Sequence, residues 1–259
     1  MSDSSTIQKL EIIATIKEGI SIGMSNIVSI FVNVLLWALT IWIPYLNVGT
    51  TIGLWMGIVS KASKGEKVPM TEIFDPKYRK YMGEFFITSG LIGIGVGAGL
   101  AFGIIPGIVI GIAWGLAQLL VIDKGKNPTE SITLSNNYTY GNKGRIFCIS
   151  FLVYFAFMLV FIILGAIAKA VIPSPWSHPS LAKVLVFLFA LIYIFISLVM
   201  MFIFIGLKAS IYKQLTENVR TKNTAAPASA PASGTFCPAC GKKNPSGTKF
   251  CAECGKQIS

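Results

Sequence analysis

Four cysteines near the C-terminus are the residues of this chain best placed to do chemistry. They stand as Cys237-x-x-Cys240 and Cys251-x-x-Cys254 within FCPACGKKNPSGTKFCAECGKQI, residues 236–258. Each pair is followed by a glycine, Gly241 or Gly255, where the backbone must turn for its amides to approach sulfur. Four thiolates suit a closed tetrahedral Zn2+ with no open position for catalysis. So short a piece cannot bury a sufficient core, and metal binding would supply its folding energy. Two disulfides would need an oxidising compartment, whereas the distribution of charge puts this tail in the cytoplasm. Zn2+ is the expected cofactor, held by Cys237, Cys240, Cys251 and Cys254.

Other chemistry is sparse. The single histidine, His178, lies in PSPWSHP with no acid beside it, so it is not expected to be catalytic. Ionisable groups inside a membrane bundle are costly and functional by default. None is expected here, since Glu84 and Asp123 fall at the edges of apolar runs, and the chain does not read as an enzyme. Softer polarity exists: Asn26, Asn33 and Thr40 recur every seven residues and form a polar seam along the first apolar segment. That seam either hydrogen-bonds neighbouring helices or lines a water-filled path. In the loop 61–80, Lys77, Tyr78, Arg79 and Lys80 combine basic groups with an aromatic ring, which suits anionic lipid headgroups. Ordinary topogenic charge with aromatic anchors explains the same residues. The lone Cys148 is expected to be a small packing residue.

These residues must be positioned by apolar helices. The 259-residue chain is 53% hydrophobic and only 13% charged, with mean hydropathy +0.68. Soluble domains carry roughly 25% charged residues, so the chain reads as an integral membrane protein. Residues 85–122 contain no charge, nearly twice the ~20 apolar residues one helix needs to span a bilayer. Pro106-Gly107 near the middle predicts a turn between two spans. Gly99, Gly103, Gly107, Gly111 and Gly115 predict a seam for close helix packing. The other spans are expected at Ile20–Ile43, Val48–Ser60, Ile146–Val171 and Leu181–Leu207. The fold class is therefore all-α and polytopic, with about six transmembrane helices as three hairpins, or four with two re-entrant segments, and a small zinc ribbon. The segments run 1–19 (interfacial), 20–207 (transmembrane), 208–235 (basic helix and Ala/Pro/Ser linker) and 236–259 (ribbon).

The net charge of +11 would suggest nucleic acid in a soluble protein. Here the basic residues cluster between apolar segments. With both termini in the cytoplasm, 20 of the 22 Lys and Arg lie on the cytoplasmic side, as the positive-inside tendency requires. Nucleic acid is disfavoured: Lys242, Lys243 and Lys249 have no long basic helix or base-stacking array with them. An internal repeat with an offset of about sixty residues is also visible. Trp55, Lys64-Gly65, Pro69 and Glu72 correspond in order to Trp114, Lys124-Gly125, Pro128 and Glu130. The second loop, 123–145, is rich in Ser, Thr, Asn and Tyr. Pro128-Thr129-Glu130 predicts a helix start and Gly141 a stop.

Cys-Pro-x-Cys-Gly, Asn-Pro and Phe-Cys-x-x-Cys-Gly over residues 236–258 resemble the short zinc-ribbon family. That resemblance implies a stand-alone ribbon, of the kind appended to bacterial and archaeal membrane proteins, which contacts a partner rather than catalysing. The rest, through Ile43-Pro44, Lys64-Gly65, Pro69, Pro128-Thr129-Glu130, Ser135 and Tyr140-Gly141, is distantly similar to the membrane domain found beside glycerophosphodiester phosphodiesterases. No phosphodiesterase catalytic domain accompanies it, so no activity carries over, and a prokaryotic source is expected. Two functions stay open. One is a non-enzymatic membrane scaffold or accessory protein whose ribbon docks a cytoplasmic protein; the other is a small-solute or ion channel or transporter with the ribbon regulating or assembling it. Expected partners are the bilayer, anionic lipid and a cytoplasmic protein, and a homo-oligomer is compatible with both.

Overall fold

The computed structural model describes residues 9–173, 179–225, 235–236, 243–244 and 256–257. The chain forms two compact units, Met1–Thr216 and Glu217–Ser259. In the first, α1 (Ile12–Ser25) and α2 (Ile27–Thr40) meet at a 65° bend. The bend falls on Asn26, whose side-chain amide donates to Ile22 O at 3.0 Å. Asparagine competes with the helical ladder in this way. α3 (Pro44–Ile52) begins with a proline at its first position, where a missing N–H costs nothing. The same helical run passes through a π turn at Gly53–Gly57 and resumes as α4 (Ile58–Ser63).

Beyond α4 the chain turns at Gly65 (φ +72°) into a 3-10 turn at Glu72–Phe74, then α5 (Lys77–Lys80). α6 (Met82–Phe102) and α7 (Ile104–Trp114) form a helical hairpin, followed by α8 (Ala117–Lys124) and α9 (Pro128–Thr139). α9 opens as its sequence predicts: Asn127 caps Glu130 N at 2.8 Å and Pro128 takes the first position. The long helices α10 (Lys143–Val171) and α11 (Pro179–Ala225) follow. In the second unit, β1 (Thr235–Phe236) pairs antiparallel with β2 (Lys243–Asn244), Thr235 opposite Asn244.

The hairpin turn lies three residues before its expected place. Gly103 (φ +148°) alone separates α6 from α7, a backbone conformation open in practice only to glycine. Pro106 sits instead in the first turn of α7, where proline is tolerated. The arms touch closely: a Cβ on Gly99 would stand 2.9 Å from Gly107 Cα.

Six spans are not confirmed. Four helical stretches are long and apolar enough to cross a membrane: Met82–Phe102, Ile104–Lys124, Lys143–Val171 and Pro179–Glu217. The bent pair α1–α2 would make a fifth. The expected span at 48–60 lies within the run formed by α3, the π turn and α4. That run fills the protein interior: Ile52, Leu54, Ile58 and Val59 are each at most 2% exposed. Its glycines explain the burial. A Cβ on Gly53 would lie 2.7 Å from Ile73 Cα, and one on Gly57 would strike the Tyr78 ring. Apolarity there serves a protein core rather than lipid. By contrast, the apolar window of α11 has no buried residue, and Phe187 and Phe195 are 63% and 66% exposed.

Candidate functional site

The ionisable groups gather around the C-terminal end of α4, where the apolar runs give way to charge. Asp123, near the end of α8, is 6% exposed at its side chain. It accepts hydrogen bonds from Ser60 Oγ of α4 at 2.5 Å and from Tyr212 Oη of α11 at 2.7 Å. Lys64 Nζ, just past α4, pairs with it at 2.5 Å. One residue along α4 from Ser60, Lys61 turns the other way and pairs with Glu72 at 2.6 Å. Glu72, 2% exposed at its side chain, also accepts from Tyr78 Oη, with Lys77 Nζ at 3.6 Å. The short helix α4 thus ties two buried carboxylates to one scaffold.

Each carboxylate holds a cation and at least one hydroxyl donor, as a buried charge must to offset its desolvation. The hydrogen bond to Glu72 holds the Lys61 ammonium above its usual range against a smaller opposing effect of burial. Burial first, then the Glu72 carboxylate, pushes the Tyr78 hydroxyl far above the ordinary tyrosine range. Lys61 is therefore charged and Tyr78 neutral at neutral pH, and both fasten the Glu72 carboxylate. A third cluster joins α1 to α11: Glu18 accepts from Ser210 at 2.7 Å, Gln214 at 2.6 Å and Lys213 at 2.8 Å.

The polar seam is engaged by neighbouring chain segments. Asn33 is fully buried. Its amide donates to Ser29 O and Pro69 O, both at 2.8 Å, while its carbonyl accepts from Ile73 N at 3.1 Å. Asn26 accepts from Val68 N at 3.4 Å, and Thr40 Oγ1 lies 3.3 Å from Thr50 Oγ1. Asn26 and Asn33 thereby hold the 66–74 segment against α2, and Thr40 meets α3. Of the four residues expected at lipid headgroups, Tyr78 is fully buried and Lys77 lies between Glu72 and Asp75. The aliphatic part of Arg79 packs over Gly49, and Lys80 is exposed beside the Tyr81 ring at 5.6 Å.

The polar second loop also turns inward. α9 buries Ser131, Ser135 and Thr139. Ser135 Oγ donates to Ala113 O at 2.7 Å and accepts from Leu116 N at 3.1 Å. It repairs the backbone groups freed where α7 breaks before α8. Sequence reasoning placed Asp123 at an apolar edge but missed its burial, and it missed the roles of Glu72 and Glu18 altogether. An acid closing an apolar run was the one readable signal, because the partner Tyr212 lies 89 residues away.

Cys237, Cys240, Cys251 and Cys254 lie outside the described residues, as does His178. Among the described residues no group of three or more His, Cys, Asp or Glu could hold a metal ion. The chemistry of the donor set, four thiols in two Cys-x-x-Cys pairs, fits Zn2+. In sequence, Cys237 and Cys240 fall between β1 and β2.

Comparison with known proteins agrees on this tail: a zinc-ribbon domain matches residues 236–258. No curated protein and no solved structure matches the chain significantly. The resemblance of the helical part to the domain beside glycerophosphodiester phosphodiesterases finds no support in these comparisons.

Proposed function

We propose that the chain is a non-enzymatic integral membrane scaffold or accessory protein whose C-terminal ribbon binds Zn2+ and docks a cytoplasmic protein. The observation that carries this reading is the use made of polarity inside the helical unit. Asn33, Asp123, Glu72 and Glu18 are each bonded to other parts of the same unit. A conduit needs polar groups facing a continuous path, and the seam residues instead fasten the 66–74 segment and α3. In this reading both termini are cytoplasmic, Lys80 meets anionic headgroups, and the ribbon contacts the partner. A closed zinc site of four thiolates has structural rather than catalytic chemistry, which agrees with docking.

The test is cross-linking and co-purification from native membranes using full-length protein and a Cys237→Ser variant. The expected result is a defined cytoplasmic protein retained by the full chain and lost from the variant, while membrane insertion is unchanged. Identical recovery from both would overturn the docking role. Solute flux through reconstituted vesicles, absent from vesicles lacking the protein, would favour the conduit instead.

A further inference from the structure

A cleft of about 530 Å³ opens beside the buried run of α3, the π turn and α4. Its walls come from Trp55 of the π turn, Tyr154 of α10, and Ser197, Met200 and Phe204 of α11, with Lys208 at one end. The volume falls in the roughly 300–1,000 Å³ range of small-molecule sites. Ser197 and Lys208 are about three helical turns apart, roughly 16 Å along α11. The cleft is therefore an elongated apolar trough with a cation at its end.

Lys208 is the unusual member. It follows directly on the uncharged run 184–207, the depth at which a lysine of a spanning helix meets headgroups. Its Nζ contacts the thioether of Met56 at 3.7 Å. Among the described residues, none of the ion pairs involves it. The nearby carboxylates are engaged elsewhere, Asp123 by Lys64 and Tyr212, Glu72 by Lys61 and Lys77. An ammonium without a carboxylate at the mouth of an apolar trough calls for an anion with a hydrocarbon tail.

We propose that this cleft is a binding site for one anionic membrane phospholipid, its phosphate on Lys208 and an acyl chain along Phe204, Met200 and Ser197, with the Tyr154 ring 5.2 Å from that of Phe204 near the Lys208 end. Aromatic groups frame the headgroup level, where indole and phenol rings bridge apolar and wet surroundings. The site is distinct from the surface lysines that meet headgroups around the protein, because the trough selects for a chain and a charge together. It rests on the reading of α10 and α11 as membrane spans.

Retention of the full chain in membranes after carbonate washing comes first; release would remove the scaffold reading and this site together. Purified full-length protein is then examined by native mass spectrometry with dioleoyl phosphatidylglycerol or dioleoyl phosphatidylcholine. Wild type is expected to retain phosphatidylglycerol preferentially, and Lys208→Met to weaken that retention by roughly fivefold or more, the effect of one lysine near an anionic headgroup. Ser197→Phe keeps the charge and fills the trough, so it should weaken retention of both lipids and serves if Lys208→Met does not fold. Lys126→Met, off the cleft and paired with Glu130 at 2.5 Å in the wild type, should leave retention unchanged. Equal retention of both lipids by wild type would overturn the site, as would unaltered phosphatidylglycerol retention in Lys208→Met or Ser197→Phe. Equal loss in Lys126→Met, or displacement by free inorganic phosphate, would do the same.

Discussion

Asn33 shows how one residue decides what the first apolar segment is for. Its amide and carbonyl meet three backbone groups, two of them on the 66–74 segment. Asn33→Leu would leave Ile73 N buried without a partner, at a cost of about 1–3 kcal/mol, while Pro69 O keeps its bond from Glu72 N. A drop in melting temperature in detergent should follow, with Asn26→Ala causing less because Asn26 is half-buried. Unchanged melting would mean that water replaces the amide, and the fastening role would fail. The Glu72 cluster makes a pH prediction. Tyr78 and Lys61 both have folded-state values raised above the ordinary 10.0 and 10.5. A raised value stabilises the fold fully below the ordinary one, and that stability is lost as pH rises through the raised value. Stability from this pair should stay flat from neutral pH to about 10 and decline only above it. Absorbance titration near 295 nm should then show no difference between wild type and Tyr78→Phe until the protein unfolds; a tyrosinate step near pH 10 present only in wild type would refute the burial.

Helix-scale features divide by how local their causes are. The start of α9 at Asn127-Pro128 and the turns at Gly65 and Gly125 are written in adjacent residues, and the sequence predicts the α9 start directly. The repeat gains a physical meaning here. Lys64-Gly65 and Lys124-Gly125 both end helices at left-handed glycines, φ +72° and +60°. Each helix is interrupted about ten residues earlier, by the π turn around Trp55 or the break after Trp114. The fate of the 44–63 run was not legible, because an apolar stretch with small residues reads the same whether lipid or protein covers it. What decides is Tyr78 and Ile73 packing onto Gly53 and Gly57, contacts made from about twenty residues away. The α6–α7 hairpin is the sharpest test at this scale. Gly103→Ala would force a side chain into φ +148°, while Gly99→Ala would press on Gly107 Cα at 2.9 Å. Backbone strain at Gly103 and overpacking at Gly99 each cost about 1–3 kcal/mol, so both variants should melt lower than wild type. A neutral Gly111→Ala, whose Cβ would meet only Val96 at 3.8 Å, serves as the internal comparison. Equal melting of all three would mean that the arms are not closely packed.

At the scale of the whole molecule, two folding problems are solved by different means in one chain. Residues 1–216 bury a conventional core around Ile30, Ile58, Tyr78, Leu119 and Ile205, so their stability comes from packing and from the buried polar fastenings. The described residues of 217–259 include the end of α11 and two strands of two residues each, Thr235–Phe236 and Lys243–Asn244. A ribbon as short as residues 236–258 cannot bury a sufficient core without a metal or cross-link. If zinc supplies that difference, unfolding should separate into two events. Chelation at pH 7 should release one zinc per chain, measured with a chromogenic indicator, and remove protection from proteolysis after residue 217 while leaving the helical melting transition in place. Acidification should release the metal too, because the thiolates must shed protons to bind it. Cys237→Ser or Cys254→Ser should reproduce the chelated state, and neither should alter melting of the helical unit. A single transition that shifts as a whole on chelation would show that the ribbon and the helices share one core. The cysteines would then act within the helical fold rather than as a separate module.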